Sequence, residues 1–258
     1  MTAWERVTAA RAKGRPTAQA YIQAIFTDFV ELHGDRCYGD DPAVLCGLAR
    51  LKGRPVTVVA LEKGVDTAEK VKRNFGAAHP EGYRKALRQM KLAEKFHRPV
   101  ICLVDTSGAY CGIAAEERGQ GQAIAQNLME MMTLKTPVLS LLIGEGGSGG
   151  ALALAVADEV WMMENAIYSV ISPEGCASIL WKDPAQTQQA AACLRLTAQD
   201  LLSLGVIERV VAEDQPWEAL FEGLREAMDR LVTENAQRPL EELLARRYQK
   251  FRKIGERQ

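Results

Sequence analysis

Residues 138–154 read V-L-S-L-L-I-G-E-G-G-S-G-G-A-L-A-L, an apolar run that passes through glycines into small residues. The apolar part, residues 138–143, predicts a buried strand, and residues 149–157 predict a helix. Five glycines in residues 144–150 permit positive φ and allow another group to approach the bare backbone. The stretch therefore predicts a strand–turn–helix unit of an α/β fold, with a binding site at the turn.

The turn in this stretch is suited to bind negative charge. A helix that begins near Gly149 has N–H groups without intrahelical acceptors in its first turn, and the positive end of the helix dipole lies behind them. Such a helix start binds an anion, or an oxygen on which negative charge develops during a reaction. The competing interpretation is that the glycines only allow close packing of helix and strand. The stretch alone leaves both interpretations open.

Three better-known glycine-containing motifs are disfavoured at this turn. A phosphate-binding P-loop ends in Gly-Lys-Ser/Thr, which is absent here, and the spacing is not a clean dinucleotide-binding G-x-G-x-x-G. Residues 146–150 match G-x-S-x-G around Ser148, but a serine nucleophile needs a histidine base. The chain has only His33, His79 and His97, all upstream. Serine hydrolase chemistry is therefore disfavoured.

Another turn of the same kind follows the preceding buried strand. Residues 100–104 are apolar and lead into residues 105–112, which read D-T-S-G-A-Y-C-G. Glycine and alanine amides thus lie again at the carboxyl end of a strand. We expect the two turns to face the same side of the sheet, because successive strand–helix units place their turns there. Backbone amides from two turns can polarise a thioester or ureido oxygen.

The other segments complete an α/β pattern. Thr17 is the expected N-cap of a helix whose apolar side extends to Phe29, and residues 44–51 and 55–61 predict a β-hairpin. Residues 63–79 predict a polar loop. Further helices are predicted from residue 80, over residues 116–134, and over residues 217–231 and 240–251. The last two carry apolar stripes that are expected to face the core.

Composition and charge exclude several classes of protein. The chain has 258 residues, 47% hydrophobic and 25% charged, as in an ordinary globular domain. Its net charge of −1 provides no basic field that would attract nucleic acid. The sequence contains no apolar run long enough to predict a membrane span. The polar N-terminus lacks the apolar core of a signal peptide, so we expect a cytoplasmic protein. The six cysteines are scattered without a C-x-x-C pair, which disfavours a structural zinc site.

Several blocks of the sequence resemble one known family. They are residues 26–36 (F-T-D-F-V-E-L-H-G-D-R), 74–76 (N-F-G), 79–87 (H-P-E-G-Y-R-K-A-L), 144–153 (G-E-G-G-S-G-G-A-L-A) and 168–183 (Y-S-V-I-S-P-E-G-C-A-S-I-L-W-K-D). Together they are similar to the alpha subunits of bacterial acetyl-CoA carboxylase carboxyltransferases. The resemblance implies a crotonase-like α/β fold, a right-handed spiral of ββα units with flanking N- and C-terminal helices. It implies one carboxyltransferase domain over residues 1–258, with an N-terminal helical segment to about residue 35, a core over about 36–211, and C-terminal helices from about 212.

The same resemblance implies an activity that is shared between subunits. A carboxyl group would pass from carboxybiotin, held on the biotin carboxyl carrier protein, to acetyl-CoA, and the malonyl-CoA formed would enter fatty acid biosynthesis. The active site would lie between an alpha subunit and a zinc-bearing beta subunit in an α2β2 assembly. ATP would be used by the separate biotin carboxylase component. This chain would bind no permanent cofactor or metal.

Site residues follow from the resemblance position by position. The amides of Gly149, Gly150 and Ala151 would stabilise the ureido oxygen of biotin when carboxybiotin releases carbon dioxide. The partner's equivalent turn would hold the enolate oxygen of acetyl-CoA, and the freed biotin would act as base. No acid–base side chain of this chain is then required. Substrate contacts are expected at Gly146, Gly147, Gly108 and Ala109.

The turn of residues 105–112, which comes first along the chain and is called the first turn from here on, departs from the usual family pattern D-T-P-G-A-Y-P-G-I-G. Ser107 and Cys111 replace the two prolines, and Ala114 replaces a glycine. The turn should be less rigid, and Ala114 fits only if its position does not require positive φ. Two alternatives stay open: a self-sufficient crotonase-type enzyme such as an enoyl-CoA hydratase, which needs paired carboxylates, and a non-catalytic scaffold.

Charged side chains near the turns have structural interpretations. Lys63 and the basic residues 70–73 are expected to form a solvated face, with CoA or carrier binding as the alternative. Glu145 and Glu174 are expected to contact backbone amides near the turns, with a catalytic role as the alternative. Arg118 is expected to pair with the glutamates just before it or to contact the partner subunit.

Overall fold

The computed structural model describes residues 1–256, and its centre is an eight-stranded sheet. The strands are β1 Thr27–Glu31, β2 Val44–Leu51, β3 Arg54–Leu61, β4 Val100–Thr106, β5 Val138–Gly147, β6 Glu159–Met163, β7 Ile167–Ser169 and β8 Arg209–Val211. The hairpin expected from the sequence is confirmed, since β2 and β3 pair antiparallel from Val44 opposite Leu61 to Leu51 opposite Arg54.

The sheet changes from antiparallel to parallel at β3. The strand order is β1-β2-β3-β4-β5-β6-β8, and β7 pairs with the carboxyl-terminal end of β5. Strands β3, β4, β5, β6 and β8 run parallel to one another. The carboxyl ends of β3, β4 and β5 therefore meet at one edge, where ligands bind in sheets of this kind.

Helices cover the sheet and the two ends of the chain. They are α1 Ala3–Ala10, α2 Ala18–Ile25, α3 Thr67–Lys72, α4 Pro80–Lys95, α5 Ile113–Glu117, α6 Gln120–Met132, α7 Ser148–Leu152, α8 Pro173–Leu180, α9 Thr187–Cys193, α10 Ala198–Ser203, α11 Trp217–Gln237 and α12 Leu240–Lys253. The predicted helix start at Pro80 is confirmed. Within residues 1–256, no helix is long and apolar enough to cross a membrane.

Four predictions about secondary structure are wrong. Helix α2 ends at Ile25, and Phe29 lies in β1, because its ring packs where a Cβ atom on Gly47 of the paired strand would otherwise lie. The helix predicted over residues 116–134 is divided at Gly119, whose φ of 81° interrupts it. The helix predicted to extend to residue 157 ends at Leu152. The predicted polar loop contains α3 and a 3-10 turn, Asn74–Gly76.

The C-terminal helices are attached in two different ways. Helix α11 buries an apolar stripe, as predicted, and its Phe221 contacts Tyr21 of α2 edge to face, with ring centroids 4.9 Å apart. Helix α12 buries only Leu243 and Arg247 among its residues, and Tyr248 of the predicted stripe is half exposed. The sequence is locally basic over residues 246–257, which predicts a solvated helix face, with a partner contact as the alternative. Arg257, the last residue of this stretch, lies outside the described residues.

Candidate active site

The turns after β4 and β5 lie side by side at the carboxyl edge of the sheet. The two strands pair in parallel up to Thr106, which lies opposite Gly146. A Cβ atom on Gly147 would overlap the carbonyl oxygen of Ser107, so the second turn rests directly on the first. The expectation that both turns face the same side of the sheet is confirmed.

Gly150 extends this contact into helix α7. A Cβ atom at Gly150 would lie 2.5 Å from the backbone N of Ala109 and 3.0 Å from Tyr83 Oη. Tyr83 is fully buried, and its hydroxyl has no hydrogen-bond partner within residues 1–256. The absence of a side chain at Gly147 and Gly150 therefore serves close packing of the two turns, the competing interpretation of these glycines.

Gly149 has a different environment. A Cβ atom there would meet nothing closer than Ile124, at 3.6 Å. Gly149 lies at the wall of a cavity of about 360 Å³, and the rest of the wall is mainly apolar. The apolar part of the wall includes Leu152, Val170, Phe251 and Ile254. Gly149 thus borders a space that an apolar ligand can enter.

Backbone N–H groups of both turns are available near this junction. The amides of Gly149 and Gly150 belong to the first turn of α7, where intrahelical acceptors are missing, and no side chain caps them. Ala151 is the fourth residue of α7, and its N–H makes the first intrahelical bond, to the carbonyl oxygen of the N-cap Gly147. The N–H of Ala109 has no acceptor within the described part of the chain. Because α7 has only five residues, its dipole is weaker than the sequence suggested. Any stabilisation of negative charge must therefore come from the individual N–H groups.

Positive φ occurs at Ser148 and at none of the five glycines in residues 144–150. Ser148 has φ 50° at the junction of strand and helix and is exposed. A non-glycine residue in this conformation is strained, and such strain is concentrated at functional sites. The position resembles the nucleophile turn of serine hydrolases. Within residues 1–256, however, no histidine hydrogen-bonds to Ser148, since His33 and His79 are engaged elsewhere. The sequence argument against a serine nucleophile therefore holds for this geometry.

The first turn is closed by its own threonine. The hydroxyl of Thr106 donates to the carbonyl oxygen of Gly108 at 2.8 Å and accepts from the N–H of Gly108 at 3.1 Å. Gly108 has φ 150° and open space where a side chain would be. Since the N–H of Gly108 is engaged within the turn, Ala109 is the better amide donor of this pair.

A charged cluster lies directly beneath the turns. Lys63 Nζ is 2.8 Å from Asp105 Oδ1 and 2.6 Å from Glu145 Oε2. Arg11 Nε is 2.7 Å from Glu145 Oε1, and Arg11 Nη1 is 2.6 Å from Glu174 Oε1. The expectation that Lys63 lies on a solvated face is wrong, because its side chain is mostly buried between carboxylates. The expectation that Glu145 contacts backbone amides is also wrong, because its carboxylate is held by Arg11 and Lys63. Glu174 pairs with Arg11 and also accepts from its own backbone N–H, so the expectation holds for Glu174.

Electrostatics fix the protonation states in this cluster. Burial disfavours the charged form of Glu145, but Lys63 and Arg11 outweigh it and lower the pKa of its carboxyl group. Burial likewise disfavours charged Lys63, but Asp105 and Glu145 outweigh it and raise the pKa of its ammonium group. Glu145 is therefore an anion and Lys63 a cation at neutral pH. Lys63 follows β3, and Asp105 and Glu145 lie near the carboxyl ends of β4 and β5. This shared place at the ends of three adjacent strands is the sequence signal that would have found the cluster.

Two cavities flank the turns. The larger, of about 690 Å³, is bordered by Lys63, Asp105, Ser107 and Glu145 and by the segment after α1. The smaller is the 360 Å³ cavity beside Gly149. The turns thus separate a charged side from an apolar side.

The departures in the first turn are accommodated. Ala114 lies within α5 and is not at positive φ, so the condition stated for this replacement is met. Ser107 and Cys111 are exposed. Arg118 pairs with Glu81, with Nη2 2.9 Å from Oε1, so its predicted pairing with the preceding glutamates is wrong.

Comparison with known proteins identifies the family. Residues 1–255 match the family model described as acetyl co-enzyme A carboxylase carboxyltransferase-like. The chain belongs to this family. It is 61% identical over 256 residues to the acetyl-coenzyme A carboxylase carboxyl transferase subunit alpha of Ruminiclostridium cellulolyticum, covering 99% of this chain and 98% of the relative. The subunit of the same name from Halalkalibacterium halodurans is 53% identical, covering 98% and 79%.

Solved structures share the fold at low sequence identity. Transcarboxylase 12S, solved with methylmalonyl-coenzyme A and methylmalonic acid bound, superimposes with a TM-score of 0.71 at 20% identity. The match covers 90% of this chain but 46% of the transcarboxylase chain, so the present chain spans about half of that neighbour. A Pseudomonas malonate decarboxylase hetero-tetramer in complex with coenzyme A gives a TM-score of 0.66 at 20% identity, covering 81% and 86%. The crotonase-like α/β fold expected from the sequence is confirmed.

Proposed function

We propose that this chain is the alpha-type subunit of an acetyl-CoA carboxylase carboxyltransferase. With a beta-type subunit, it transfers a carboxyl group from carboxybiotin to acetyl-CoA and gives malonyl-CoA. The observation that carries this proposal is the contact between two amide-bearing turns at the carboxyl ends of β4 and β5, in a member of this family. The strong similarity to subunits of that name over nearly the whole chain supports the choice of substrates.

The chemistry needs charge stabilisation more than acid–base side chains. Carboxybiotin breaks its N–CO₂⁻ bond, and the electron pair leaves negative charge on the ureido group of biotin. The N–H groups of Gly149 and Gly150 stabilise the ureido oxygen, whereas the N–H of Ala151 is engaged within α7. The biotin nitrogen then removes a proton from the acetyl methyl group, and the resulting enolate attacks carbon dioxide. Every proton and electron pair is accounted for without a side chain of this chain.

The remaining residues of the turns support the substrates. Ala109 contributes an amide from the first turn, and Gly108, which has open space where a side chain would be, lets substrate approach the backbone. The space beside Gly146 and Gly147 is filled by Leu142 and by Ser107, so these two glycines support the turn and do not open it to substrate. The open face beside α7 suits a protein partner, because Val170 is 75% exposed and Ile113 is 81% exposed near the turns. The partners proposed are the beta subunit, in an α2β2 assembly, the biotin carboxyl carrier protein and the ATP-using biotin carboxylase, all in the cytoplasm. No permanently bound cofactor is part of the proposal.

A self-sufficient hydratase is not favoured by the geometry. Such an enzyme needs carboxylates that exchange protons with substrate. The carboxylates beneath the turns, Asp105 and Glu145, are held by Lys63 and Arg11, and the pKa of Glu145 is lowered. Glu145 is thus unsuited to carry a proton at neutral pH.

The test is reconstitution with a matched pair of substitutions. The chain is co-expressed with its beta subunit, and malonyl-CoA formation from carboxybiotin is measured. Gly149→Val fills the entrance to the smaller cavity without a backbone clash, so we expect kcat/KM to fall by at least about 10-fold. Gly223→Val in α11 is the control, because Gly223 also has space for a Cβ atom but lies elsewhere.

The outcomes separate the alternatives. Turnover only in the mixture supports the proposal, whereas hydration of an enoyl-CoA by the isolated chain, or assembly without any turnover, contradicts it. Normal turnover by an assembled complex that carries Gly149→Val would show that Gly149 is not part of the site. Gly150 is a poorer choice for this test, because any side chain there collides with Ala109.

A further inference from the structure

The charged cluster beneath the turns joins four separate parts of the chain. Lys63 follows β3, Asp105 lies in β4, Glu145 lies in β5, and Arg11 follows α1. We propose that this cluster sets the spacing of the two amide-bearing turns, and that Lys63 is a positioning residue for carboxyl transfer. The proposal rests on the function proposed above.

Asp105 connects the first turn to the backbone of the second. Its Oδ1 accepts the N–H of Glu145 at 2.8 Å. A Cβ atom on Gly144 would overlap the Asp105 carboxylate, so Gly144 leaves the room for this contact. Asp105 therefore holds the second turn at the residue before Gly146, close to the proposed amide donors.

Lys63 neutralises the repulsion that this arrangement creates. Its ammonium group bridges the carboxylates of Asp105 and Glu145, one from each turn, at 2.8 Å and 2.6 Å. Both carboxylates are nearly buried, where the attraction between opposite charges is stronger than in water. The other charged groups facing Glu145 are Arg11 and, through Arg11, Glu174. Arg15 also acts electrostatically on Asp105. Without Lys63, Arg11 would stay beside Glu145 and Arg15 near Asp105, but no cation would bridge the two carboxylates.

The cluster acts through the turns and not on the substrate. Lys63, Asp105 and Glu145 border the larger cavity, whereas Gly149 borders the smaller one. All charges of the cluster are already paired within the chain. A small displacement of the turns is enough to affect catalysis, because misplacing a reacting group by about 1 Å can cost on the order of 100-fold in rate.

The test compares two lysines that each bridge two carboxylates. In the reconstituted complex, Lys63→Met should lower kcat by about 10- to 100-fold, with the KM values changed by less than about twofold. Lys91→Met is the matched control, because Lys91 Nζ lies 2.6 Å from Glu94 and 3.3 Å from Glu130 on the exposed faces of α4 and α6. It should leave kcat unchanged. Lys63→Arg and the charge-balanced double variant Lys63→Met/Glu145→Gln should recover much of the loss.

A pH profile distinguishes positioning from simple loss of stability. With Lys63 removed, a carboxyl group of the cluster should take up a proton at a higher pH than before, which relieves the repulsion. The kcat of Lys63→Met relative to wild type should therefore rise as the pH falls from about 8 to about 6. A merely destabilised variant would show no such recovery.

The results decide between the inference and the function on which it rests. If the wild-type complex makes no malonyl-CoA, the proposed function fails. If wild type is active but Lys63→Met behaves like Lys91→Met, or its pH profile is parallel to wild type, the positioning role fails. Should Lys63→Met not fold, Arg11→Met decides, since Arg11 is one-third exposed: a fall in kcat of about 3- to 10-fold supports the role, and unchanged kcat refutes it.

Discussion

Arg247 should be the residue on which the position of the C-terminal helix depends. Its side chain is buried and pairs with Asp158 through Nε at 2.8 Å and Nη2 at 2.9 Å. Its guanidinium also donates to the carbonyl oxygens of Met131, Leu134 and Thr136 at 2.8 to 2.9 Å. Arg247→Met keeps the apolar stem but leaves the Asp158 carboxylate without its counter-ion and three carbonyl groups without this donor, although the N–H of Val138 still donates to Asp158.

The expected loss follows from these contacts. Removing one partner of a buried ion pair costs about 3–5 kcal/mol, because the remaining charge stays buried without compensation. For a chain of this size, that corresponds to a fall in Tm of about 6 to 20 °C. Arg247→Met/Asp158→Asn should recover part of the loss, because it leaves no unpaired buried charge. Arg247→Lys should lie between wild type and Arg247→Met, because an ammonium group cannot reproduce the planar array of five contacts.

Thermal and urea unfolding followed by circular dichroism measure this loss. Arg246→Met is the matched control, because the side chain of Arg246 is 59% exposed and its closest carboxylate oxygen is 3.9 Å away. It should change the free energy of unfolding by less than about 0.5 kcal/mol. A loss below about 1 kcal/mol for Arg247→Met would refute the reasoning, since it would mean that the helix is held by its few apolar contacts.

Two further predictions concern the acid range and the junction of the turns. Burial opposes ionisation of Asp35, but three backbone N–H groups and Arg84 outweigh it and lower its pKa to about 2. The stabilisation by Asp35 is therefore complete above its unfolded pKa of about 3.9 and is lost as the pH falls toward 2; Asp35→Asn should flatten the stability curve in that window, as measured by urea unfolding at each pH. Gly147→Ala places a methyl group on the carbonyl oxygen of Ser107, so we expect a fall in unfolding free energy of about 1–3 kcal/mol together with reduced turnover. Normal values for both quantities would show that the turns are not in firm contact.

The sequence predicted the strands better than the helix ends. Two apolar runs and the short connection Lys52-Gly53-Arg54 between them predicted the hairpin, because both signals are local. The apolar spacing that assigned Phe29 to a helix is equally compatible with a strand. Its true position depends on pairing with β2, where Gly47 provides the space for its ring. Such a long-range contact leaves no periodic signal in the sequence around Phe29.

The site was predicted where it depends on backbone, and missed where it depends on side chains from distant segments. The glycine content and the preceding strands predicted both turns. The pairing of Lys63 with Asp105 and Glu145 was missed, because it depends on strand order, and β3, β4 and β5 are separated by long helical segments. The strained residue was also missed, since glycine content favours positive φ at a glycine, whereas Ser148 adopts it.

Packing and charge binding, the two interpretations of the glycines, apply to different positions of the same turn. Gly147 and Gly150 have no room for a Cβ atom because the first turn occupies that space. Gly149 has such room and borders the apolar cavity. Close packing brings the N–H of Ala109 next to the first turn of α7, so amides from the two turns converge. The packing glycines are thus a precondition for the binding site, and substitutions at the two kinds of position should fail in different ways: loss of stability with turnover at Gly147, and loss of turnover alone at Gly149.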